Sequence, residues 1–432
     1  MDTKAKSELS DVLAEIIKPK ARLRRTKEFL GADPLHQREV AATFHIYKSA
    51  LICKSVSEFL KDAKVSETRA FDWNDCEVPP LFNRMHTAVD EQETLPVKAW
   101  FFIEGKFKYI LHVNFDDYSP CTGIIKVLAS AEHIGDAALA IEAIQEIATK
   151  NNIYRGSILT PIGEFLPPPT VSMDDLFISA ETRQAVDENI VGFLKKREVY
   201  EVNHLPFTRG VILEGSPGTG KTLLGKVLSN MKDVTFIWAP PKYMSSLGMV
   251  NNTFAMAREL APTILFLEDM DTYANQRDSV TGEILAEMDG MRSNKGIIIV
   301  ATTNYPDRLD AALLSRPSRF DVRVKLGVQP PDIRQAYIDY LLRGSTLNDS
   351  VDTAALVKMT EVYNPVYIQE LIRLATIIAI NEGDLGADKA ILGIRHFEAA
   401  AKRININHGG IRQFGVEQAE KGTPANTPAQ GV

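Results

Sequence analysis

The stretch "LEGSPGTGKTLL" (Leu213–Leu224) constrains this chain more than any other. Gly215 and Gly220 bracket a short loop, Gly218 lies inside it, and Lys221 and Thr222 follow directly. The residues before it, "RGVIL", read as a buried strand, and those after it, "LLGKVLSNM", as a helix. A glycine loop between a strand and a helix brings backbone N–H groups close to an anion and adds the positive end of the helix. Gly215, Ser216, Pro217, Gly218, Thr219, Gly220, Lys221, Thr222 and Leu223 are therefore the candidate phosphate-binding residues. Lys221 would reach β- and γ-phosphates, and the Thr222 hydroxyl would face Mg²⁺.

The text around the loop supports a parallel sheet. "RGVIL", "VTFIWA", "PTILFLE", "GIIIVATTN" and "VRVKLG" alternate with helical stretches, the pattern of an α/β fold with helices on both faces. From Pro330 to about Arg403 the pattern is helical throughout. Upstream, apolar spacing from about Glu39 to Lys64 suggests a helix. "KAWFFIEGKFKYILHVNF" reads as a hairpin turning at Glu104-Gly105, and "GIIKVLAS" as a further strand. "AEHIGDAALAIEAIQEIATK" puts Ile134, Ala137, Ile141, Ile144 and Ala148 on one helical face. The expected order is a polar, basic arm (1–29), a small α+β domain (30–157), a proline-rich linker (158–174), an α/β domain (175–329), a helical domain (330–405) and a disordered tail (406–432).

Two further strands end in chemistry. "TILFLEDMD" finishes in Glu268, Asp269 and Asp271, at the carboxyl edge of the sheet where open α/β folds bind ligands. "GIIIVATTN" ends in Asn304, whose amide suits the orientation of a nucleophilic water. Beyond it, in "LLSRPSRFD", Arg316 and Arg319 are hard to aim at their own subunit's nucleotide and suited to a neighbour's γ-phosphate.

A net charge of −7 weighs against a general nucleic-acid-binding surface, although "KPKARLRRTK" (Lys18–Lys27) is a local basic track. Three cysteines without Cys-x-x-Cys spacing argue against a disulfide framework or a zinc site. The N-terminus lacks a secretion signal, and no run of about 18 apolar residues offers a membrane span. A soluble, cytoplasmic protein is expected.

Taken in order, "GSPGTGKT", "APTILFLEDMD", "ILAEMDGM" and "VATTNYPDRLDAALLSRPSRFDVRV" resemble the AAA clade of ring-forming ATPases, over about Val171 to Arg403. The resemblance implies a P-loop NTPase sheet with a helical lid and a homohexameric ring that hydrolyses ATP at its subunit interfaces. It implies that Arg316 and Arg319 act in trans, and that "DDLFI", with Phe177 and Ile178, frames the adenine.

This sequence departs from the family in three places. The usual aspartate–glutamate order is reversed to Glu268-Asp269, so that by position Glu268 serves Mg²⁺ with Thr222 and Asp269 is the base. The reversal resembles the Bcs-type subgroup and its soluble, chaperone-like relatives. "YNPVYIQEL" (Tyr363–Leu371) stands where the family's lid has a turn of small residues near the nucleotide. The pore loop, "PPKYMSSLGMV", has two alignments: one gives Leu247 and the other Tyr243 the gripping position. Leucine grips a sliding chain less well than an aromatic.

The expected function is an ATP-driven machine that remodels or chaperones protein clients, with ATP and Mg²⁺ as its cofactors and the N-terminal domain selecting the client. The alternatives are a nucleic-acid motor or loader, kept open by the basic track, and an ATP-switched scaffold with little turnover.

Overall fold

The computed structural model describes residues 21–115, 122–245, 248–272, 280–289, 294–309, 313, 319–387 and 389–407. The chain divides into two compact units, Met1–Pro167 and Pro168–Val432.

The first unit is built on an antiparallel sheet. Its strands run Gln37–His45, Thr122–Ser130, Lys108–Asn114, Gln92–Glu104, Val65–Phe71 and Glu77–Val78 across the sheet, and Leu81–His86 also pairs with Gln92–Glu104. The expected hairpin is present, with Glu104 opposite Lys108 and the turn running through Gly105 to Phe107. Strand Thr122–Ser130 alternates half-buried and buried residues along its whole length, as a sheet with one covered face requires. Helix Ile134–Lys150 buries Ala137, Ile141, Ile144 and Ala148, the stripe expected from their spacing.

The single helix expected over Glu39–Lys64 is instead a strand, Gln37–His45, followed by a helix, Ser49–Lys61. Val40, Phe44, Tyr47 and Leu51 fall at helical intervals, but Val40 and Phe44 also satisfy a two-residue period. Nine backbone pairings with Thr122–Ser130 decide for the strand. The basic track is helical from Ala21 to Leu30, and acids neutralise part of it. Arg22 pairs with Asp75 at 2.8 Å, and Arg25 pairs with Glu67 and Glu28. The rest of the track and the C-terminal tail lie outside the described residues.

The second unit carries the parallel sheet. Its strands run Val322–Lys325, Thr208–Glu214, Ile297–Thr303, Thr263–Leu267 and Thr235–Ala239 across the sheet, all parallel. Every residue of Ile297–Thr303 and Thr263–Leu267 is buried, the mark of central strands covered on both faces. Each fully buried Ile, Val, Leu or Phe there contributes about 1.5–3 kcal/mol of transfer free energy. The strand order places the loop strand (Thr208–Glu214) beside the asparagine strand (Ile297–Thr303), with the acid strand (Thr263–Leu267) next. Their carboxyl ends therefore lie side by side.

Helices Pro331–Leu341, Thr353–Met359, Pro365–Glu382 and Ile394–Asn407 follow. They share their own core, in which Ile338, Leu356, Ile368, Ala375, Phe397 and Ile404 are buried. This segment is not helical throughout as expected: Thr346–Leu347 pairs in parallel with Ile391–Leu392.

Candidate functional site

The loop strand is buried from Gly210 to Glu214 and delivers the chain into the glycine loop at the sheet edge. A Cβ at Gly215 would lie 1.9 Å from the Leu326 carbonyl oxygen, so only glycine lets the loop leave the strand so close to its neighbour. Gly218 and Gly220 have φ values of +82° and +101°, in the left-handed region. Helix Lys221–Ser229 starts directly after them, with Gly220 as its N-cap. Ser216 and Pro217 are exposed, Leu223 is half-buried, and Thr219 is buried with its hydroxyl donating to the Ser216 carbonyl at 2.9 Å.

Lys221 is 6% exposed, and its ammonium donates to the Gly215 carbonyl at 2.6 Å and the Ser216 carbonyl at 3.0 Å. Burial pushes its pKa below the ordinary lysine value, and the charges of Asp269 and Asp271 oppose that shift. The cation thus lies inside the loop, with the acids that follow strand Thr263–Leu267 acting on it across the asparagine strand.

The two acids of the reversed pair have different partners. The Thr222 hydroxyl donates to Oε1 of Glu268 at 2.9 Å. The indole N–H of Trp238, from strand Thr235–Ala239, donates to Oε2 of the same carboxylate at 3.1 Å. Asp269 instead accepts from the side-chain amide of Asn304 at 3.2 Å, and its backbone N–H donates to the Thr302 hydroxyl at 2.9 Å. Its φ is +49°, a conformation that aspartate tolerates better than most residues. Burial raises the Asp269 pKa above the ordinary carboxylate value, and the charges of Glu268 and Asp271 raise it further. Lys221 and the Asn304 hydrogen bond pull it back.

Asp271 has a supporting role that its sequence position alone did not disclose. Its Oδ1 accepts from the Thr303 hydroxyl at 2.8 Å and from the Asn304 backbone N–H at 2.9 Å. It thereby ties the ends of the acid and asparagine strands and orients Asn304. Trp238 was also missed; its only signal in the sequence is a polar-tipped aromatic in the adjacent apolar run.

A magnesium ion fits this donor set. Thr222 and Glu268 offer a hydroxyl and a carboxylate already in contact, both oxygen ligands of the kind the ion prefers.

The other expected residues are distributed more widely. Arg319 makes an ion pair within its own chain. It is 6% exposed, its Nε lies 3.0 Å from both carboxylate oxygens of Asp289, and its Nη2 bonds the same group. Asp289 comes from helix Val280–Asp289, so the guanidinium is engaged within its own chain. Arg316 lies outside the described residues, as does Leu247. Tyr243 is half-buried on the short helix Pro241–Met244, with the Lys242 ammonium 4.6 Å from its ring centre. Ile178 is buried. The Phe177 ring packs against Tyr337 and Tyr340 of helix Pro331–Leu341, with centroids 5.0 and 5.1 Å away.

The helical segment reaches the glycine loop itself. Asn364 is 7% exposed and donates its side-chain amide to the Pro217 carbonyl at 2.7 Å. The Val366 backbone N–H donates to the Gly218 carbonyl at 3.4 Å. No residue here has a role assigned from sequence, because Pro365 and Val366 are bulkier than the small residues the family carries.

Residues 211–328 match the family described as "ATPase family associated with various cellular activities (AAA)". The "Cell division cycle protein 48 homolog" of Archaeoglobus fulgidus is 31% identical over 281 residues, 59% of this chain and 37% of that protein. The "Proteasome-activating nucleotidase" of Methanopyrus kandleri is 34% identical over 253 residues, 55% of this chain and 57% of that protein. The "ATP-dependent zinc metalloprotease FtsH 2" of Symbiobacterium thermophilum is 35% identical over 216 residues, 45% of this chain and 36% of that protein. The chain thus spans between 36% and 57% of the length of these relatives.

Proposed function

The chain carries an AAA ATPase domain, and on that premise we propose that it is an ATP-hydrolysing ring machine acting on protein clients. One observation carries the hydrolytic part of this reading. Thr222 holds Glu268 while Asn304 holds Asp269, so the two neighbouring acids are separated into different duties. Glu268 with Thr222 is the magnesium-facing pair. Asp269 with Asn304 is the water-facing pair.

In this reading Lys221 leaves the loop carbonyls and neutralises the β- and γ-phosphate oxygens. Thr222 and Glu268 would hold Mg²⁺, which would supply further positive charge to the phosphates. Asn304 positions the attacking water, and Asp269 takes its proton. The raised pKa of Asp269 makes it a better base than an ordinary exposed aspartate. Arg316 is the residue proposed to complete a neighbour's site. Arg319 is held by Asp289 within its own chain.

The names of the proteasome-activating and metalloprotease relatives favour a protein client, and a homohexamer is the assembly proposed from the family. Among the described residues no helix is long and apolar enough to cross a membrane. The unit Met1–Pro167 is proposed to select the client.

Steady-state ATP hydrolysis tests this directly. It is measured alone, with an unfolded model protein, and with single-stranded DNA. Stimulation by the polypeptide is expected, and Lys221→Ala should abolish nucleotide binding. Stimulation by DNA alone would overturn the protein-client reading. Tight ATP binding retained by Lys221→Ala would overturn the loop assignment.

A further inference from the structure

The carbonyls of the glycine loop are held from outside by the start of helix Pro365–Glu382. Asn364 is the N-cap of that helix: its Oδ1 accepts from the Tyr367 backbone N–H at 3.2 Å. The other end of the same amide donates to the Pro217 carbonyl at 2.7 Å. Two residues on, the Val366 N–H meets the Gly218 carbonyl at 3.4 Å. The Val366 side chain closes the remaining space, since a Cβ at Gly218 would lie 2.8 Å from Val366 Cβ.

A trans peptide is planar, and its N–H points opposite to its carbonyl. Holding the Pro217 carbonyl toward Asn364 therefore turns the Gly218 N–H away from the helix. Holding the Gly218 carbonyl toward Val366 does the same for the Thr219 N–H. These N–H groups belong to the loop that would cradle phosphate. Glycine at 218 leaves that peptide otherwise free to rotate.

We propose that Asn364 and Val366 form the outer wall of the phosphate cradle, fixing two of its peptide planes so that nucleotide affinity depends on the Asn364 latch. Asn364 is a positioning residue: it acts through the loop backbone. The proposal rests on the reading that this loop binds nucleotide. Its coupling is reciprocal, so nucleotide must also steady the helix start. Asparagine is suited to both tasks at once, because one amide supplies an acceptor for the helix cap and a donor for the loop.

The test is Asn364→Ser in the full-length chain. Serine keeps a good cap, but its shorter side chain does not span to Pro217. Aspartate would also keep the cap, but its charge would repel phosphate independently of the latch. Two readouts are taken: ADP affinity by calorimetry, and amide hydrogen exchange at Gly218 and Thr219 without nucleotide. The expected result is ADP binding weakened about tenfold, from the net worth of one or two hydrogen bonds. Exchange at Gly218 and Thr219 should be faster. In the wild type, ADP should slow exchange at Tyr367 and Ile368. Unchanged ADP affinity and unchanged exchange in the variant would overturn the proposal. A wild type that binds no ADP would overturn the nucleotide reading instead, while the exchange comparison would still decide whether Asn364 fixes the loop.

Discussion

The indole N–H of Trp238 donates to Glu268 Oε2 at 3.1 Å, on the side of the carboxylate opposite the Thr222 hydroxyl. The longer of the two acids thus stands first in the pair and is held from both sides. An aspartate in place of Glu268 would fall short by one methylene of contacts that glutamate makes together. The reversed order therefore has a physical counterpart in the neighbouring strand: a donor placed to meet the longer side chain.

Trp238→Phe should keep the ring packing against Phe236 and Phe266 and lose only the donor. Glu268 then becomes free to turn from Thr222. The magnesium concentration needed for half-maximal ATPase activity should rise about three- to tenfold, with the maximal rate changed less. An unchanged magnesium requirement would remove Trp238 from the site.

Asp269→Asn should abolish turnover while ATP binding persists, because the base is lost and the Asn304 contact can be kept. The same change should stabilise the protein. The folded-state pKa of Asp269 is raised, so its ionised form is disfavoured by folding. That penalty is absent below the unfolded-state pKa and grows as pH rises to the folded-state pKa, above which it is constant. At pH 7 a higher melting temperature is expected, and no gain at a pH below the ordinary aspartate value. For the wild type, turnover should fall on acidification with an apparent pKa above that of an ordinary carboxylate.

The two arginines should separate cleanly. Arg319→Ala removes a buried guanidinium from Asp289 and should cost about 2–3 kcal/mol of stability, measured by denaturant unfolding. Arg316→Ala should leave stability and ATP binding intact and stop hydrolysis. Mixed with wild-type subunits, it should depress activity more steeply than dilution. A proportional decline would remove its action across the interface.

The sheet and its chemistry were legible because their signals are local. Glycines, a lysine and a threonine in a fixed order announce the loop, and apolar runs ending in acids or an amide announce the strand ends. Parallel strands buried on both faces leave little other use for such runs. What stayed hidden depends on neighbours distant in sequence. Asp289 meets Arg319 across thirty residues, and Asn364 meets Pro217 across 147. Neither spacing has a periodicity to betray it. The strand at Gln37–His45 was concealed for another reason: its apolar residues satisfy the helical interval as well, and only its partner strand breaks the tie.

Lys221 spends its hydrogen bonds on the Gly215 and Ser216 carbonyls. The loop thus carries an internal substitute for its ligand, and an incoming anion must outcompete it. A single phosphate offers one centre of charge for that exchange. A chain of phosphates can displace the carbonyls with one group while its others engage the helix N-terminus and Thr222. On the proposed reading, discrimination between a lone phosphate and a nucleotide's polyphosphate would begin in the resting loop, before any contact with the base.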